Sequence, residues 1–339
     1  MAVEVELFDD LDAVERDAAG ALDRSARASI FERLDWFRLI ELHCPPPGRL
    51  LVLRARQDEC RAWLFLKVDG RKAVALANWY SFDFGAILEC GSRHTGYQLA
   101  EALIAALRRQ GIAAVEFAPL SAGDALSLCF TGKLWLYRLS PATIRWTMNV
   151  MGQDFAAYWA ARPSRLRSTA ERKAKAAKLG IRIHTQFSED AWADYERVYA
   201  QSWKPEEGSV AFLRALAAME GAAGTLRLGI AHKDGHPVAA QLWLTEGGIA
   251  TIHKLAYAEE AKAFSPGTVL TMEMFRHALD VDRVNGIDFG LGDDAYKADW
   301  VDHSRPMYRL VAYDLLSPHG LWRAGRDAAA KLVRRARSD

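Results

Sequence analysis

Two Asp-Gly turns, far apart in the chain, open the same order of elements. In CRAWLFLKVDGRKAVALANWY (Cys60–Tyr80) an apolar run meets Asp69-Gly70 and a second run follows; in LRLGIAHKDGHPVAAQLWL (Leu226–Leu244) the turn is Asp234-Gly235. Asp-Gly between strand-like runs marks a tight hairpin, because glycine tolerates the positive φ that the turn needs. A further β-like segment follows each hairpin, Phe82–Cys90 and Gly247–Tyr257. Then come an amphipathic helix, about Gly96–Arg109 and Pro266–Asp282, and a glycine-led strand, Gly111–Phe117 and Gly286–Phe289. Turn and strand lie 41 positions apart in the first copy and 51 in the second. The chain therefore reads as one β-β-β-α-β unit used twice.

Composition allows such a pair of domains. Half of the 339 residues are hydrophobic and 11 are Trp, enough for sizeable cores. With 44 basic and 43 acidic side chains, net charge exerts no global pull toward nucleic acid or membrane. Cys44, Cys60, Cys90 and Cys129 form no C-x-x-C pair, which argues against zinc and redox motifs and leads us to expect free thiols. The acidic start MAVEVELFDDLDAVERD is unlike a secretion signal, and no run approaches the roughly 18–20 apolar residues of a membrane span. A soluble cytoplasmic protein is the expectation.

Between the copies lies a basic link. From Arg162 to Arg182 it carries eight Lys or Arg and one acid, Glu171. Ser164 is placed to cap a helix there and Gly180 to stop it. Such a helix reads equally as a solvated face or as one that faces phosphates. Trp192, Tyr195, Val198 and Tyr199 follow at helical spacing and read as core.

A duplicated β-β-β-α-β unit resembles the GNAT acyltransferase fold in tandem, as in the Fem-type peptidyltransferases. The link Ser164–Lys175 is similar to the basic helix that opens the second domain of that group. Ser265-Pro266-Gly267, and then Gly292-Asp-Asp-Ala-Tyr-Lys-Ala-Asp-Trp300, resemble the acetyltransferase-like branch found with cellulose and exopolysaccharide genes. The resemblance implies an α/β (α+β) chain of tandem GNAT-like domains, each a mixed, mostly antiparallel sheet flanked by helices. Its expected divisions are a degenerate N-terminal domain (1–150), a catalytic domain (151–317) and a basic amphipathic helix (318–339). One departure is plain: the donor loop Glu259–Thr268 has a single glycine, Gly267, where GNAT loops are glycine-rich.

The implied activity is N-acyl transfer from acyl-CoA, a co-substrate rather than a tightly bound cofactor, to an amine acceptor. Such transfer needs a phosphate site, a base for the incoming ammonium and a partner for developing negative charge. Ser265, Gly267 and Thr268 mark a helix start that attracts anions, with Lys262 upstream and Lys297 as a further phosphate or carboxylate partner. His253, Asp288 and Asp293 are the candidate bases, and Tyr296 is a candidate proton donor to the leaving thiolate. An unperturbed imidazole titrates near pH ~6.5, which suits His253 to that work. Asp288, between Ile287 and Phe289, must be paired or have a raised pKa. Gly290 and Gly292 allow close approach where the strand ends. No metal is expected.

Two other readings stand beside this one: aminoacyl-tRNA-dependent transfer, with the basic link on RNA phosphates, and a non-catalytic partner in envelope-polymer assembly. Against the tRNA reading, no long charged coiled-coil arm is present and net charge is neutral. In the tail, Leu321, Trp322, Gly325, Ala328, Ala329, Leu332, Val333 and Ala336 fall on one helical face, with six Lys or Arg elsewhere. Residues 320–339 therefore suit either docking on the protein's own body or peripheral binding to anionic inner membrane. On a membrane the acceptor would be a lipid-borne amine, such as a sphingoid base, or an amino sugar on a lipid carrier.

Overall fold

The computed structural model describes residues 2–131 and 134–335, with side chains described as far as residue 330. The chain divides into two compact units, Met1–Thr143 with Pro306–Asp339, and Ile144–Arg305. Each is a mixed, mostly antiparallel sheet flanked by helices.

The first unit contains β1 (Glu4–Phe8), α1 (Leu11–Ala18), α2 (Leu34–His43), β2 (Arg49–Gln57), β3 (Cys60–Asp69), β4 (Lys72–Ala75), β5 (Ile87–Glu89), α3 (Arg93–Arg109), β6 (Ala114–Leu120) and α4 (Ala125–Cys129). Its strands lie in the order β1-β2-β3-β4-β6, and β5 pairs with β3 off that path. Among the described residues of this unit only β4 and β6 run parallel, from Lys72↔Ala114 to Val74↔Glu116. The crossover α3 lays Leu99, Leu103 and Leu107 onto Leu64, Leu66 and Phe117 of the sheet, because its apolar residues recur every three or four positions.

The second unit takes in the end of β7 (Trp135–Asn149), then α5 (Phe155–Ala160), α6 (Ser164–Ala177), β8 (Gly180–His184), α7 (Glu189–Ala200), α8 (Val210–Ala222), β9 (Leu226–Lys233), β10 (His236–Glu246), β11 (Ile249–Tyr257), α9 (Pro266–Arg276) and β12 (Gly286–Leu291). Strand order is β8-β9-β10-β11-β12-β7, with β11 and β12 parallel across α9. Two corrections concern α6. Its N-cap is Pro163 rather than Ser164, and Lys178, not Gly180, turns left-handed at its end.

The repeat is real but its alignment shifts by one strand. By position in the sheet, the hairpin β9-Asp234-Gly235-β10 matches β2-Asp58-Glu59-β3, so Asp69-Gly70 corresponds to the turn between β10 and β11. Phe82–Cys90 is then no third strand of the copy; it yields only β5, on β3. The strand missed was Arg49–Gln57, whose near-continuous burial hides any alternation.

β13 (His303–Asp314) pairs with β6, so residues 306–317, placed by the sequence reading with the second domain, count with the first unit. α10 (Pro318–Arg335) follows, and Gly320 passes too close to the Asp314 and Ala113 carbonyls to admit a Cβ. Leu321 and Trp322 stay 52% and 57% exposed, and Ala328 and Ala329 are exposed too, so the described part of the apolar stripe is not docked on the body. The side chains of Leu332, Val333, Arg334 and Arg335, and all of Ala336, Arg337 and Asp339, lie outside the described residues.

Free thiols hold for Cys44 and Cys129 only. Cys60 and Cys90 are joined as a disulfide, with Cα atoms 4.7 Å apart. Pairing of β3 with β5 sets Arg61 opposite Glu89 and so brings the two flanking cysteines face to face. Their 30-residue separation gives no local sign of it.

Candidate active site

β11 and β12 begin as a pair and then part. Their register runs Ile249↔Gly286, Ala250↔Ile287 and Thr251↔Asp288, and no further among the described residues, although β11 continues to Tyr257 and β12 to Leu291. On its other side β11 carries a bulge: the partners on β10 jump from Leu242↔Lys254 to Trp243↔Ile252, leaving His253 as the extra residue. β11 runs on for six residues beyond that pairing, and at its far end, Tyr257, it meets the start of α9. A Cβ on Gly267 would stand 3.0 Å from the Tyr257 ring, so the helix start lies directly on the end of β11. The buried Gln241 side chain holds that turn, donating to Thr271 Oγ1 (2.7 Å) and accepting from the Trp243 indole (2.9 Å), while Thr271 donates to the Gly267 carbonyl (2.8 Å).

Around this start the predicted donor residues differ in what they do. Ser265 occupies the cap position but in the left-handed region (φ 51°), and its side chain makes no capping bond, correcting the role expected of it. The first N–H groups of a helix have no partner within it, and Gly267 and Thr268 supply two of those of α9. Lys262 is exposed just upstream. Lys173 of the basic helix α6 donates to the Ala263 carbonyl at 2.5 Å, which puts that helix beside the donor loop.

The candidate bases fare worse. His253 is only 6% exposed; burial first, and then Lys254, lower its pKa to about 3, too low for proton removal near neutrality. This has a consequence for stability. An unfolded imidazole takes up a proton near pH ~6.5 whereas the folded one resists it to about 3, so stability falls as pH drops through that interval. At pH 5 the cost is about 2 kcal/mol, or roughly 3 °C in Tm for a chain of this size. His253→Gln should lose that part of the acid sensitivity. Melting curves of both proteins at pH 7.5 and 5.0 check it; equal drops would refute the assignment.

Asp288 is paired, one of the two outcomes the sequence allowed. Arg145 of β7 donates to its Oδ2 through Nε (2.9 Å) and Nη2 (2.6 Å), and the Gly290 N–H donates to Oδ1 (2.9 Å). A carboxylate so engaged ties β12 to β7 and is not a free base, which corrects its expected role. Gly290 (φ 73°) and Gly292 (φ 128°) both take conformations that favour glycine, and Gly292 also lies against Asp294 and Lys297. Lys297 is buried and donates to the Leu291 carbonyl (2.6 Å), so it locks this turn instead of reaching a phosphate. Burial lowers its pKa. Asp293 is exposed. Tyr296 packs edge-on to Phe289 yet stays 44% exposed; partial burial, then Asp294, raise its phenol pKa, so it is protonated near neutrality.

The structure brings together a group that sequence reasoning missed. The loop between α7 and α8 carries Trp203-Lys-Pro-Glu-Glu207. Glu207 accepts from Lys254 of β11 at 2.9 Å, both largely buried. Lys204 shares this environment with Lys254, Glu207, Lys297 and Asp294; burial and then Lys254 bring its pKa down to about 8. Tyr199, beside Glu207, is pushed up to about 12, mainly by burial. Lys204 and Glu207 also line a cavity of about 400 Å³ that runs between α7 and α8, with Trp192, Tyr195 and Tyr199 on one wall. Trp192 and Tyr195, 1% and 2% exposed, are core as their spacing predicted and border the cavity from within that core; only Tyr199 of the three is partly open. The available signal was a charged, proline-containing loop between two apolar helices.

Residues 163–298 match the family described as acetyltransferase (GNAT) domain. No curated protein sequence matches the chain. Among solved structures, FemX superposes with a TM-score of 0.63 at 9% identity, over 91% of this chain and 97% of that one. The C-terminal domain of a putative lysylphosphatidylglycerol synthetase from Agrobacterium fabrum gives 0.60 at 14%, over 94% and 96%. A tandem GNAT protein from the clavulanic acid biosynthesis pathway gives 0.52 at 13%, over 91% and 98%. At such identities these likenesses carry the fold, which is that of GNAT proteins, two units in tandem.

Proposed function

We propose, from a GNAT acetyltransferase domain over residues 163–298 as premise, that the protein transfers an acyl group from acyl-CoA to an amine. The observation that carries this reading is the parting of β11 from β12 after Thr251, which leaves the edge of β11 open as far as Tyr257, where α9 begins. An extended, amide-bearing donor arm can lie along the strand edge so opened, as added strands do. Its phosphates then meet the N-terminus of α9, whose dipole and first N–H groups favour anions. Lys262 and the basic helix α6 add positive charge there.

In the transfer, the acceptor nitrogen attacks the thioester carbonyl; a C–N bond forms and the C–S bond breaks. The nitrogen gives up a proton to Lys204, the group of this cluster best matched to accept one near neutrality. The departing thiolate takes a proton from Tyr296. Expected on titration with acetyl-, octanoyl- and palmitoyl-CoA is a rise in Tm of a few degrees, weakened several-fold by Lys262→Ala. Stabilisation by an aminoacyl-tRNA alone would favour the tRNA-dependent reading. No response to either donor would leave a non-catalytic GNAT-fold partner.

A second reading concerns location. Among the described residues no helix is long and apolar enough to cross a membrane. Exposed Leu316, Leu321 and Trp322, with Arg326 set over the Trp322 ring at 5.0 Å, favour peripheral contact with an anionic bilayer. Sedimentation with anionic vesicles at low salt should fall at least several-fold when residues 320–339 are removed, each basic residue near the surface being worth about 1 kcal/mol. Equal sedimentation would rule the tail out as an anchor.

A further inference from the structure

The cavity between α7 and α8 has walls of two kinds. On one side Trp192, Tyr195 and Tyr199 form a ladder along α7, with ring centroids 4.7 Å and 6.1 Å apart. Their spacing of three and four residues puts them on one helix face. Opposite stand Val210 and Leu213 of α8. The rim is different: Glu196 and Glu206 supply two carboxylates there beside Lys204, while the third, Glu207, is already paired with Lys254, and Glu196 also accepts from the Trp192 indole (2.9 Å). At about 400 Å³ the space lies within the range of small-molecule sites.

The geometry points to a binding site for the amine acceptor in this slot, and to an acceptor whose amine is carried on an apolar group, an alkyl chain or aromatic ring, rather than on a sugar. The inference deepens the reading of acyl transfer to an amine and rests on it. The partly open Tyr199 ring and the carboxylates of Glu196 and Glu206 together attract an ammonium, the ring through its quadrupole and the acids through charge, with Trp192 and Tyr195 stacked behind as apolar backing. Apolar walls reward removal of hydrocarbon from water and offer few groups to replace the water lost by sugar hydroxyls. Lys204 belongs to the rim and also to the cluster of Lys254, Lys297 and Asp294 beside the parting strands. An ammonium held at the rim thus sits next to the group proposed to take its proton.

The test uses the full chain and calorimetric titration with butyl-, octyl- and dodecylamine, the matching alcohols, and glucosamine. Expected is affinity that rises with chain length to a plateau, at least tenfold tighter for octylamine than for octanol. Glu206→Gln should weaken the amine several-fold and leave the alcohol unchanged. Val210→Trp, which fills the slot from its exposed edge, should weaken both at least tenfold. Glucosamine binding tighter than octylamine, or alkylamine binding untouched by Val210→Trp, would overturn the proposal. Acyl-CoA binding is measured separately on the same samples. Alkylamine binding as expected without any acyl-CoA response would keep the slot and remove the transfer reading; the converse would remove the slot alone.

Discussion

Replacing Lys204 by methionine should lower the rate of acyl transfer by about 10²–10⁴-fold, the range of a lost general base. The pH dependence makes the claim specific. Lys204 accepts a proton only when neutral, and its pKa lies at about 8, so the native rate should rise with pH through neutrality and level above 8. The variant should lack that rise. Lys204→Arg separates chemistry from charge, because a guanidinium keeps its proton throughout. If Lys204→Arg retains most of the native rate, Lys204 serves binding or local structure and the base must be sought elsewhere, Asp293 first.

The second large effect is expected at the Arg145–Asp288 pair, and it is an effect on stability. Both side chains are mostly buried, 12% and 5% exposed, and the carboxylate also holds the Gly290 N–H. Asp288→Ala leaves a buried guanidinium without its counter-charge, which costs about 3–5 kcal/mol. For a chain of this size that is roughly 5 °C in Tm. Arg145→Met with Asp288→Leu removes both charges and should recover a good part of the loss, since neither ion is then stranded. Calorimetric melting of the single and double variants decides it. A Tm within about 2 °C of native for Asp288→Ala, together with a collapse of turnover, would return Asp288 to the role of catalytic base.

What could be read directly from the residues was whatever depends on neighbours in the chain. Asp234-Gly235 makes its hairpin because glycine accepts the turn's backbone, and Gly290 and Gly292 take the positive φ that the end of β12 demands. The crossover helices follow from apolar periodicity, and a carboxylate between Ile287 and Phe289 announced that it would need a partner. The identity of that partner was not legible, because Arg145 stands 143 positions away and meets Asp288 only through the pairing of β7 with β12. For the same reason the repeat was misaligned: Arg49–Gln57 is buried on both faces and shows no alternation, whereas sheet order identifies it at once. His253 and Lys204 make the contrast sharpest. Their ordinary pKa values favoured the histidine as base, but a value in place depends on water excluded and charges brought near. Burial takes His253 out of range, and burial beside Lys254 brings Lys204 into it. Local conformation is written in the sequence because φ, ψ and periodicity are local; proton affinity and ion pairing are set by the neighbours that the tertiary structure brings together.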